Sequence, residues 1–473
     1  MPSWLGRMWV FNTTFPTWEG ITLGVKFSHR PPLRVSAAGA GLVGHAGSRL
    51  LAEVAERSGL DAGLSKALAG LAKRRRRHDP GRVLVDLAVT LADGGECIAD
   101  LATLRQQPAL FGQVASTPTA WRVLDSIEEP MLERLLVARS EARARVWAWG
   151  MAPQRVTLDF DSTLVEVESE NKEQAASNWK HGFGFHPLLV FLDQTGEALA
   201  GKLRPGNAGA NTAQDHVELL GAALQQLPWP TRAEDQEQGL EVLVRSDSAG
   251  ASHGFVDAIA ERGLEFSVGF DVTEPVREAI LQLPESSWVE AITKEMEERE
   301  GAQVAEITGL LDLSSWPQGS RALVRREEPH PGASYNLFDP HGLRHQALLT
   351  NSQDPDIAYL EARHRLHARV EDRIKEAKEC GLSNFPCASF QANRVWLLLV
   401  QMAQDLLAWA RQLCLPGDFL EAAPKRLRYQ LLHVAGRLVR SGRRTTLRLD
   451  ARWPWAPQLA VAFTRLRALP LTT

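Results

Sequence analysis

The chain of 473 residues is poor in several features that would place it in a common class of protein. It has 4 cysteines, none in a CxxC pair or at zinc-finger spacing from a histidine: Cys97, Cys380, Cys387 and Cys414. We therefore expect neither a disulfide framework nor a structural zinc ion, and a reducing cytoplasm fits best. No apolar run reaches the roughly 18 residues of a membrane span, and the N-terminus lacks the apolar core of a secretory signal. Export and membrane insertion are not expected.

Motifs of several enzyme classes are also missing. The glycines of GFGFHP (182–187) lack the GxGxxG spacing and do not open a helix after a strand, which argues against a dinucleotide site. No P-loop is present, so the usual NTPase signal is absent.

Charge is present in both signs but is unevenly distributed. The formal net charge is only -4, so the total neither favours nor excludes nucleic acid as a partner. Residues 360–448 contain sixteen Lys and Arg against eight Asp and Glu, whereas 285–306 is rich in glutamate. A second basic run, Lys73–Arg77, fits either a solvated linker or a contact with a phosphate backbone. The distribution therefore points to polyanion contacts in the C-terminal part of the chain.

The hydrophobic pattern predicts an α/β protein with helical flanks. Apolar residues recur at helical spacing between about 40 and 149, and from 155 onward the period changes to that of strands. Three strands, a helix, a strand, a helix and a strand ending near 271 predict a central mixed sheet. We expect an extension of no assigned function at 1–34, a helical N-terminal DNA-binding domain at 35–150, and then four further segments. These are a catalytic core divided between 151–272 and 352–413, a β-rich insertion at 273–351, and a helical basic C-terminal region at 414–473.

Three carboxylates in separate segments suggest a site for divalent metal ions. Asp161 lies in the strand-like VTLDFDSTLVEV, with Asp159 two residues earlier on the same strand face, and Asp247 follows the apolar run LEVLVRS. Glu371 lies in a basic helix. Two Mg²⁺ ions about 3.5–4 Å apart need converging carboxylates, as in enzymes of phosphoryl transfer. Taken alone, Asp161 also fits a turn, and Asp247 fits a helix N-cap.

The helix that contains Glu371 places cationic or protonatable groups beside the carboxylate. His364, Glu371 and Lys378 are spaced by seven residues, and His367 and Lys375 fall near the same stripe. A solvated charged face would produce the same pattern. Together with Asp161 and Asp247, however, the helix suggests a metal site that faces a polyanionic substrate.

Several long motifs together resemble the insertion-sequence 1380 family of bacterial DDE transposases. The resemblance extends over about residues 35–470. The motifs are DFDSTLVEVESENKEQAASNWKHGFGFHPLLVFLD, LRPGNAGANTAQDH, VRSDSAGASH, ARHRLHARVEDRIKEAKECGLSNFP, PKRLRYQLLHVAGRLVRSGRR and DARWPWA.

The resemblance implies a ribonuclease-H-like catalytic core with a β-rich insertion between the second aspartate and the glutamate. It implies that Asp161, Asp247 and Glu371 are the catalytic metal ligands, with Asp159 in support and Lys378 as the signature lysine after the glutamate. His364 and His367 occupy the places of a tyrosine and an arginine in related transposases, and a neutral histidine cannot replace an arginine fork. The expected DNA-contacting residues are Lys378, Lys375, Arg373, His364, His367 and Lys180.

The function implied is transposition of DNA. We expect the protein to bind the terminal inverted repeats of its element, cleave the ends and join the 3′-hydroxyls to target DNA with two Mg²⁺ ions, for which Mn²⁺ can substitute. DNA is the expected partner, bound by a homodimer or higher oligomer in the bacterial cytoplasm at the nucleoid. The alternatives are a nuclease that cuts without joining and a catalytically inactive copy that only binds DNA.

Overall fold

The computed structural model describes residues 34–36, 38–71, 77–228, 241–329 and 340–470. Residues 41–473 cluster as one compact unit. The extension predicted at 1–34 lies almost wholly outside the described residues, as do the first four residues of the basic run Lys73–Arg77. No helix in the described ranges is long and apolar enough to cross a membrane.

The N-terminal part is helical, as the periodicity predicts, apart from one short strand. Its third helix begins at Pro80 because the preceding Asp79 side chain accepts a hydrogen bond from the Arg82 backbone N–H at 2.8 Å. That helix is apolar almost all round, since it is enclosed by other helices. The elements are β1 (Leu42–Val43), α1 (Ser48–Arg57), α2 (Leu60–Ala67), α3 (Pro80–Ala92), α4 (Ala102–Arg105), α5 (Pro108–Phe111), α6 (Thr117–Asp125) and α7 (Glu129–Val146).

A mixed sheet follows, and its strands have the predicted order of three strands, helix, strand, helix and strand, with three short strands of another sheet inserted after the first. The elements are β2 (Val156–Ser162), β3 (Val165–Glu166), β4 (Ala176–Ser177), β5 (Phe183–Phe185), β6 (Leu188–Leu192), β7 (Ala198–Lys202), α8 (Ala213–Gln226), β8 (Val242–Ser246), α9 (His253–Ala260) and β9 (Glu265–Phe270). Strands β2, β6 and β7 are antiparallel neighbours, whereas β8 is parallel to both β2 and β9. Strands β3, β5 and β4 form a small separate sheet between β2 and β6 in sequence.

The β-rich stretch after β9 extends the main sheet. Its elements are α10 (Glu274–Gln282), β10 (Val289–Ile292), β11 (Glu298–Glu306), β12 (Arg321–Glu327) and β13 (Arg344–Thr350). Strand β13 pairs antiparallel with β9, with Leu349 opposite Val268. Within the described residues the strand order is therefore β10-β11-β12-β13-β9-β8-β2-β6-β7.

The C-terminal part differs from the helical region predicted at 414–473. Its elements, with the helices before it, are α11 (Ile357–Arg365), α12 (Arg369–Ala377), α13 (Phe390–Cys414), α14 (Pro424–Leu427), β14 (Gly436–Ser441), β15 (Arg444–Leu449) and α15 (Ala456–Ala468). Strands β14 and β15 form a hairpin that also pairs with β1. Leu438, Leu447 and Leu449 pack against the core while arginines alternate with them, and Gly442 turns the chain with a φ of 57°. Alternation with a period of two favours a hairpin over a helix here.

A fully buried charge network joins the N-terminal helices to the sheet and to α13. The Arg139 and Arg143 guanidinium groups of α7 each donate to the Asp405 carboxylate of α13 at 2.7 Å. Arg143 also donates to Glu197, in the turn between β6 and β7, at 2.9 Å. Two cations and two anions thus neutralise one another, and Glu197 also accepts from Trp409 Nε1 at 2.8 Å. The network is satisfied by hydrogen bonds, which its burial requires.

Removing one member of this network should destabilise the whole unit. We expect Asp405→Ala to lower the free energy of unfolding by about 3–5 kcal/mol, because two buried arginines lose their counter-ion. Urea unfolding followed by circular dichroism measures the change. Asp450→Ala is the control, since Asp450 pairs with Arg452 at the surface, and it should leave the free energy of unfolding nearly unchanged. Equal losses in the two variants would contradict the importance of the network.

Candidate active site

Asp161 and Asp247 lie at the same end of two neighbouring parallel strands. Phe160 of β2 is opposite Ser246 of β8, so the next residue on each strand is one of the two aspartates. The carboxyl ends of adjacent parallel strands are where sites form in α/β proteins. The structure therefore brings the two aspartates together at one edge of the central sheet.

The turn that holds Asp247 depends on close backbone packing. The Asp247 side chain accepts from the Ala249 backbone N–H at 3.0 Å and caps a 3₁₀ turn, Ser248–Gly250. A Cβ atom at Gly269 of β9 would lie 2.7 Å from the Ser248 nitrogen, so the turn can rest on β9 only where glycine is present. The capping role considered for Asp247 is thus present, and the carboxylate is exposed for a second role.

Glu371 enters from the first turn of α12. Val370, Ile374 and Ala377 are buried on one face of this helix, and Glu371 and Lys375 are exposed on another. This amphipathic pattern fixes the rotation of the helix. As a result, Glu371 is presented outward from the core while α12 packs inward.

The Asp161 carboxyl is influenced by both of the other carboxylates. Burial, together with the negative charges of Asp247 and Glu371, raises the pKa of Asp161 to about 6. The Ser162 backbone N–H and the nearby His367 act in the opposite direction. Carboxylate oxygens are the donors that Mg²⁺ prefers. Asp161, Asp247 and Glu371 could supply such donors, but their ligand atoms do not all lie within 4.8 Å of one another in the structure.

A buried ion pair joins β2 and β8 two residues before the two aspartates. Asp159 is the register partner of Arg245, and the guanidinium donates to both Asp159 oxygens, Nε at 2.8 Å and an Nη at 2.7 Å. His367 Nδ1 lies 3.0 Å from one of the same oxygens. Burial opposes ionisation of Asp159, but hydrogen bonds from His367 and Arg245 and the charge of Arg245 hold the pKa of Asp159 below its usual value. Both Asp159 oxygens are thus already engaged by protein side chains.

His364 and His367, the two histidines predicted to contact DNA, lie near this ion pair. His364 Nδ1 lies 2.9 Å from the Ser267 hydroxyl of β9. Burial, together with the neighbouring His367 and Arg245 side chains, lowers the pKa of His364 to about 3. His364 is therefore neutral and supplies no positive charge to a phosphate. Both histidines line a cavity of about 470 Å³ that also reaches Asp247.

The predicted cationic contacts fall into two groups. Lys375 is exposed beside Glu371, and Lys378 is half-buried one turn further on, after the end of α12. Lys180 lies at the tip between β4 and β5, with its ammonium 4.8 Å from the ring of the exposed Trp179. Arg373, in contrast, packs over the turn at Gly196, and one of its nitrogens is 3.5 Å from the Glu376 carboxylate. The structure thus groups Lys375 with the site and turns Arg373 away from it.

Sequence reasoning overlooked Arg245 and Gly269. An arginine within the apolar run LEVLVRSD, two residues before Asp247, was the available signal, because a buried charge needs a partner. Gly269 lay inside a predicted strand, where a glycine often marks close backbone approach.

A mixed α/β sheet that presents two strand-end aspartates and a helical glutamate defines a candidate site for metal-assisted chemistry on phosphodiesters. Residues 25–471 match the family described as transposase DDE domain group 1, and the chain belongs to that family. The family implies an enzyme that cleaves and transfers DNA in transposition, and DDE transposases generally use divalent metal ions. The match covers most of the chain.

Two further comparisons concern curated proteins and solved structures. No curated protein matches the sequence. A cryo-EM structure of a piggyBac transposase synaptic complex with hairpin DNA matches 81% of this chain and 77% of that chain, with 10% sequence identity and a TM-score of 0.36.

Removing the buried charge of Asp161 should stabilise the metal-free protein. Its pKa of about 6 exceeds the roughly 3.9 of an unfolded aspartate, so ionisation destabilises the folded state, fully above about pH 6 and not below about pH 4. We expect Asp161→Asn to raise the free energy of unfolding by about 1–3 kcal/mol at pH 8, and by less at pH 5.

Urea unfolding in the presence of a chelator at both pH values checks this expectation. Asp372→Asn, which changes an exposed carboxylate next to Glu371, is the control and should leave stability unchanged. If Asp161→Asn is no more stable than wild type at pH 8, then ionisation of Asp161 does not destabilise the folded protein.

Proposed function

We propose that this chain is the transposase of an insertion element of the insertion-sequence 1380 type. It binds the terminal inverted repeats, cleaves the DNA at both ends and joins the 3′-hydroxyls to target DNA. The proposal rests on the positions of Asp161 and Asp247, which directly follow the paired residues Phe160 and Ser246 on two parallel strands. Glu371 is near enough to raise the pKa of Asp161. The family supports the same reaction class.

The catalytic core in this proposal is ribonuclease-H-like. This proposal is supported by the strand order β7-β6-β2-β8-β9. Strands β7, β6 and β2 are antiparallel neighbours, and β8 and β9 run parallel to β2. The core comprises 151–272 and 352–413, and the insertion at 273–351 continues the same sheet past β9. The helical segment 35–150 and the segment 414–473 hold the DNA end, and two or more copies act together on paired ends.

The residues of the site have distinct roles in this mechanism. Asp161, Asp247 and Glu371 would hold two divalent ions, which supply activation of the attacking oxygen and stabilisation of the leaving 3′-oxygen when bound. Lys375 and Lys378 neutralise phosphates that flank the scissile bond, and Lys180 contacts the backbone from the β4–β5 tip. Asp159 and Arg245 keep the two aspartates in register.

The β14–β15 hairpin supplies the DNA-contacting surface of the C-terminal segment. Arg437 and Arg448 are register partners, and like charges directly opposite one another destabilise a strand pair unless a counter-charge is present. Both are exposed, as is Arg444 on the same face. Within the described residues no carboxylate forms an ion pair with these three arginines. A phosphate backbone is the counter-charge that this face fits.

Loss of a carboxylate at the site should abolish cleavage but not binding. We expect Asp247→Asn and Glu371→Gln to reduce cleavage of a terminal-repeat duplex by at least about a hundredfold, since an ion ligand contributes several kcal/mol to the transition state. Gel-shift affinity for the same duplex should stay within about threefold. Asp372→Asn is the matched control on α12 and should cleave normally. Retained cleavage by Asp247→Asn in Mg²⁺ would exclude the assignment.

The transfer of DNA ends into target DNA is tested separately from cleavage. A pre-cut duplex with a free 3′-hydroxyl should be inserted into a plasmid by the wild-type protein, and the products are counted by sequencing the junctions. Cutting without insertion would support the nuclease alternative, and binding without either reaction would support the inactive copy. Inverted repeats and a short target duplication in the flanking DNA would independently support transposition.

Neutralising the hairpin should weaken DNA binding in a salt-dependent way. We expect Arg437→Gln with Arg448→Gln to reduce the slope of log affinity against log salt by about 2, or about 1 for each lost phosphate contact. Fluorescence anisotropy between 50 and 200 mM salt measures this slope. Arg452→Gln, which removes an arginine already paired with Asp450, is the control. An unchanged slope in the double variant would place the DNA elsewhere.

A further inference from the structure

Three side chains outside the acidic triad of Asp161, Asp247 and Glu371 have ligand atoms close enough together to hold a metal ion. His45 precedes α1, Asp93 follows α3, and His433 precedes β14. One ligand atom from each lies within 4.8 Å of the other two. His45 Nδ1 is 2.7 Å from one Asp93 oxygen, and His433 Nε2 is 3.2 Å from the other. The sequence shows no zinc motif here, because the three residues come from distant positions.

The backbone brings the two histidines together independently of their side chains. The Ala46 N–H donates to the Val434 carbonyl and the Gly47 N–H donates to the Leu432 carbonyl, each at 3.0 Å. A Cβ atom at Gly47 would lie 2.0 Å from the Leu431 oxygen, so this approach requires glycine. His45 itself has a φ of 49°, an uncommon conformation for a residue other than glycine. The two loops therefore hold the imidazole rings with their centroids 4.3 Å apart before any ligand arrives.

The donor set and its surroundings match a transition-metal site. We propose that His45, Asp93 and His433 bind a divalent transition-metal ion of the Zn²⁺ class. Two imidazole nitrogens and one carboxylate oxygen are ligands of this class, and bond lengths of about 2.0–2.1 Å place tetrahedral ligand atoms about 3.3 Å apart. The distances of 2.7 and 3.2 Å go to different Asp93 oxygens, and His433 Nε2 also lies 2.9 Å from the Asp93 backbone oxygen. The three ligand atoms nevertheless lie within 4.8 Å of one another, so side-chain rotation would bring one oxygen and both nitrogens to a single ion.

The second layer and the exposure of the site fit the same function. The Ser48 hydroxyl donates to Asp93 at 2.5 Å and orients the carboxylate, as outer partners of metal ligands do. The Asp93 side chain is 4% exposed, whereas the His45 and His433 side chains are 34% and 38% exposed. An ion can therefore enter from solvent and keep a water molecule as its fourth ligand.

The position of the site gives the ion a structural role. His433 lies three residues before β14, and β1, which pairs with β14, ends two residues before His45. A metal ion here would fasten the base of the β14–β15 hairpin to α1 and α3. This role is independent of the reaction at the acidic triad.

Metal analysis of the full chain tests the proposal. The protein is stripped with a chelator, incubated with Zn²⁺ and desalted, and bound zinc is then measured by mass spectrometry and its affinity by competition with a chromophoric chelator. We expect one tightly held Zn²⁺ per chain in wild type and in Asp247→Asn. His45→Gln and His433→Gln should each lose it, with affinity at least about tenfold weaker. His78→Gln is the matched histidine control and should bind like wild type.

Two further measurements separate metal binding from a structural hydrogen-bond cluster. Zn²⁺ should raise the thermal midpoint of wild type but not of His433→Gln. Ser48→Ala keeps all three ligands and should weaken affinity by about tenfold with unchanged circular dichroism, which decides the matter where a histidine variant fails to fold. The proposal is overturned by a wild-type chain that retains no zinc, by His45→Gln and His433→Gln that retain as much as wild type, or by unchanged affinity in Ser48→Ala.

Discussion

The buried ion pair between Asp159 and Arg245 is the interaction on which the geometry of the candidate site depends. Each of these residues lies two positions before an aspartate of the site, on the same face of its strand. Because side chains alternate along a strand, a slip of one residue would turn Asp161 or Asp247 to the opposite face of the sheet. Two hydrogen bonds between a guanidinium and a carboxylate resist this slip, since breaking a buried pair leaves two unsatisfied charges. The register of Asp161 against Asp247 therefore depends on a buried contact two residues earlier on each strand.

A second network extends the same logic to the flanking helices. Arg139 and Arg143 of α7 meet Asp405 of α13 and Glu197 of the β6–β7 turn in the centre of the protein. Helix α13 packs against the sheet and the N-terminal helices, so the regions called domains at the sequence level share one core. Movement of the helical segment against the sheet would expose buried charges, so this network holds the segment rigidly on the core.

The sequence predicted the main sheet because its strands and helices have clear and different periods. It could not show that the β-rich stretch continues that sheet, since the pairing of β13 with β9 is a long-range contact. The hairpin at 436–449 was wrongly predicted as helical because its arginines masked the alternation of Leu438, Leu447 and Leu449. Asp161, Asp247 and Glu371 were selected through segment order and family resemblance, and their assignment as catalytic residues stays a prediction. Arg245 was missed because the pattern of one strand carries no information about its neighbour.

The distribution of arginine partners reconciles a net charge of -4 with a polyanionic substrate. Arginines in the core, such as Arg143 and Arg245, are neutralised by ion pairs with buried carboxylates. They therefore add no positive charge to the surface of the protein. Arg437 and Arg448 face each other without such a partner in the described part of the chain, at a cost that a bound phosphate backbone would remove. The acidic triad repels that same backbone unless divalent ions occupy it. Divalent ions bound there, as proposed, would serve the chemistry and would also remove the repulsion between the three carboxylates and the scissile phosphate.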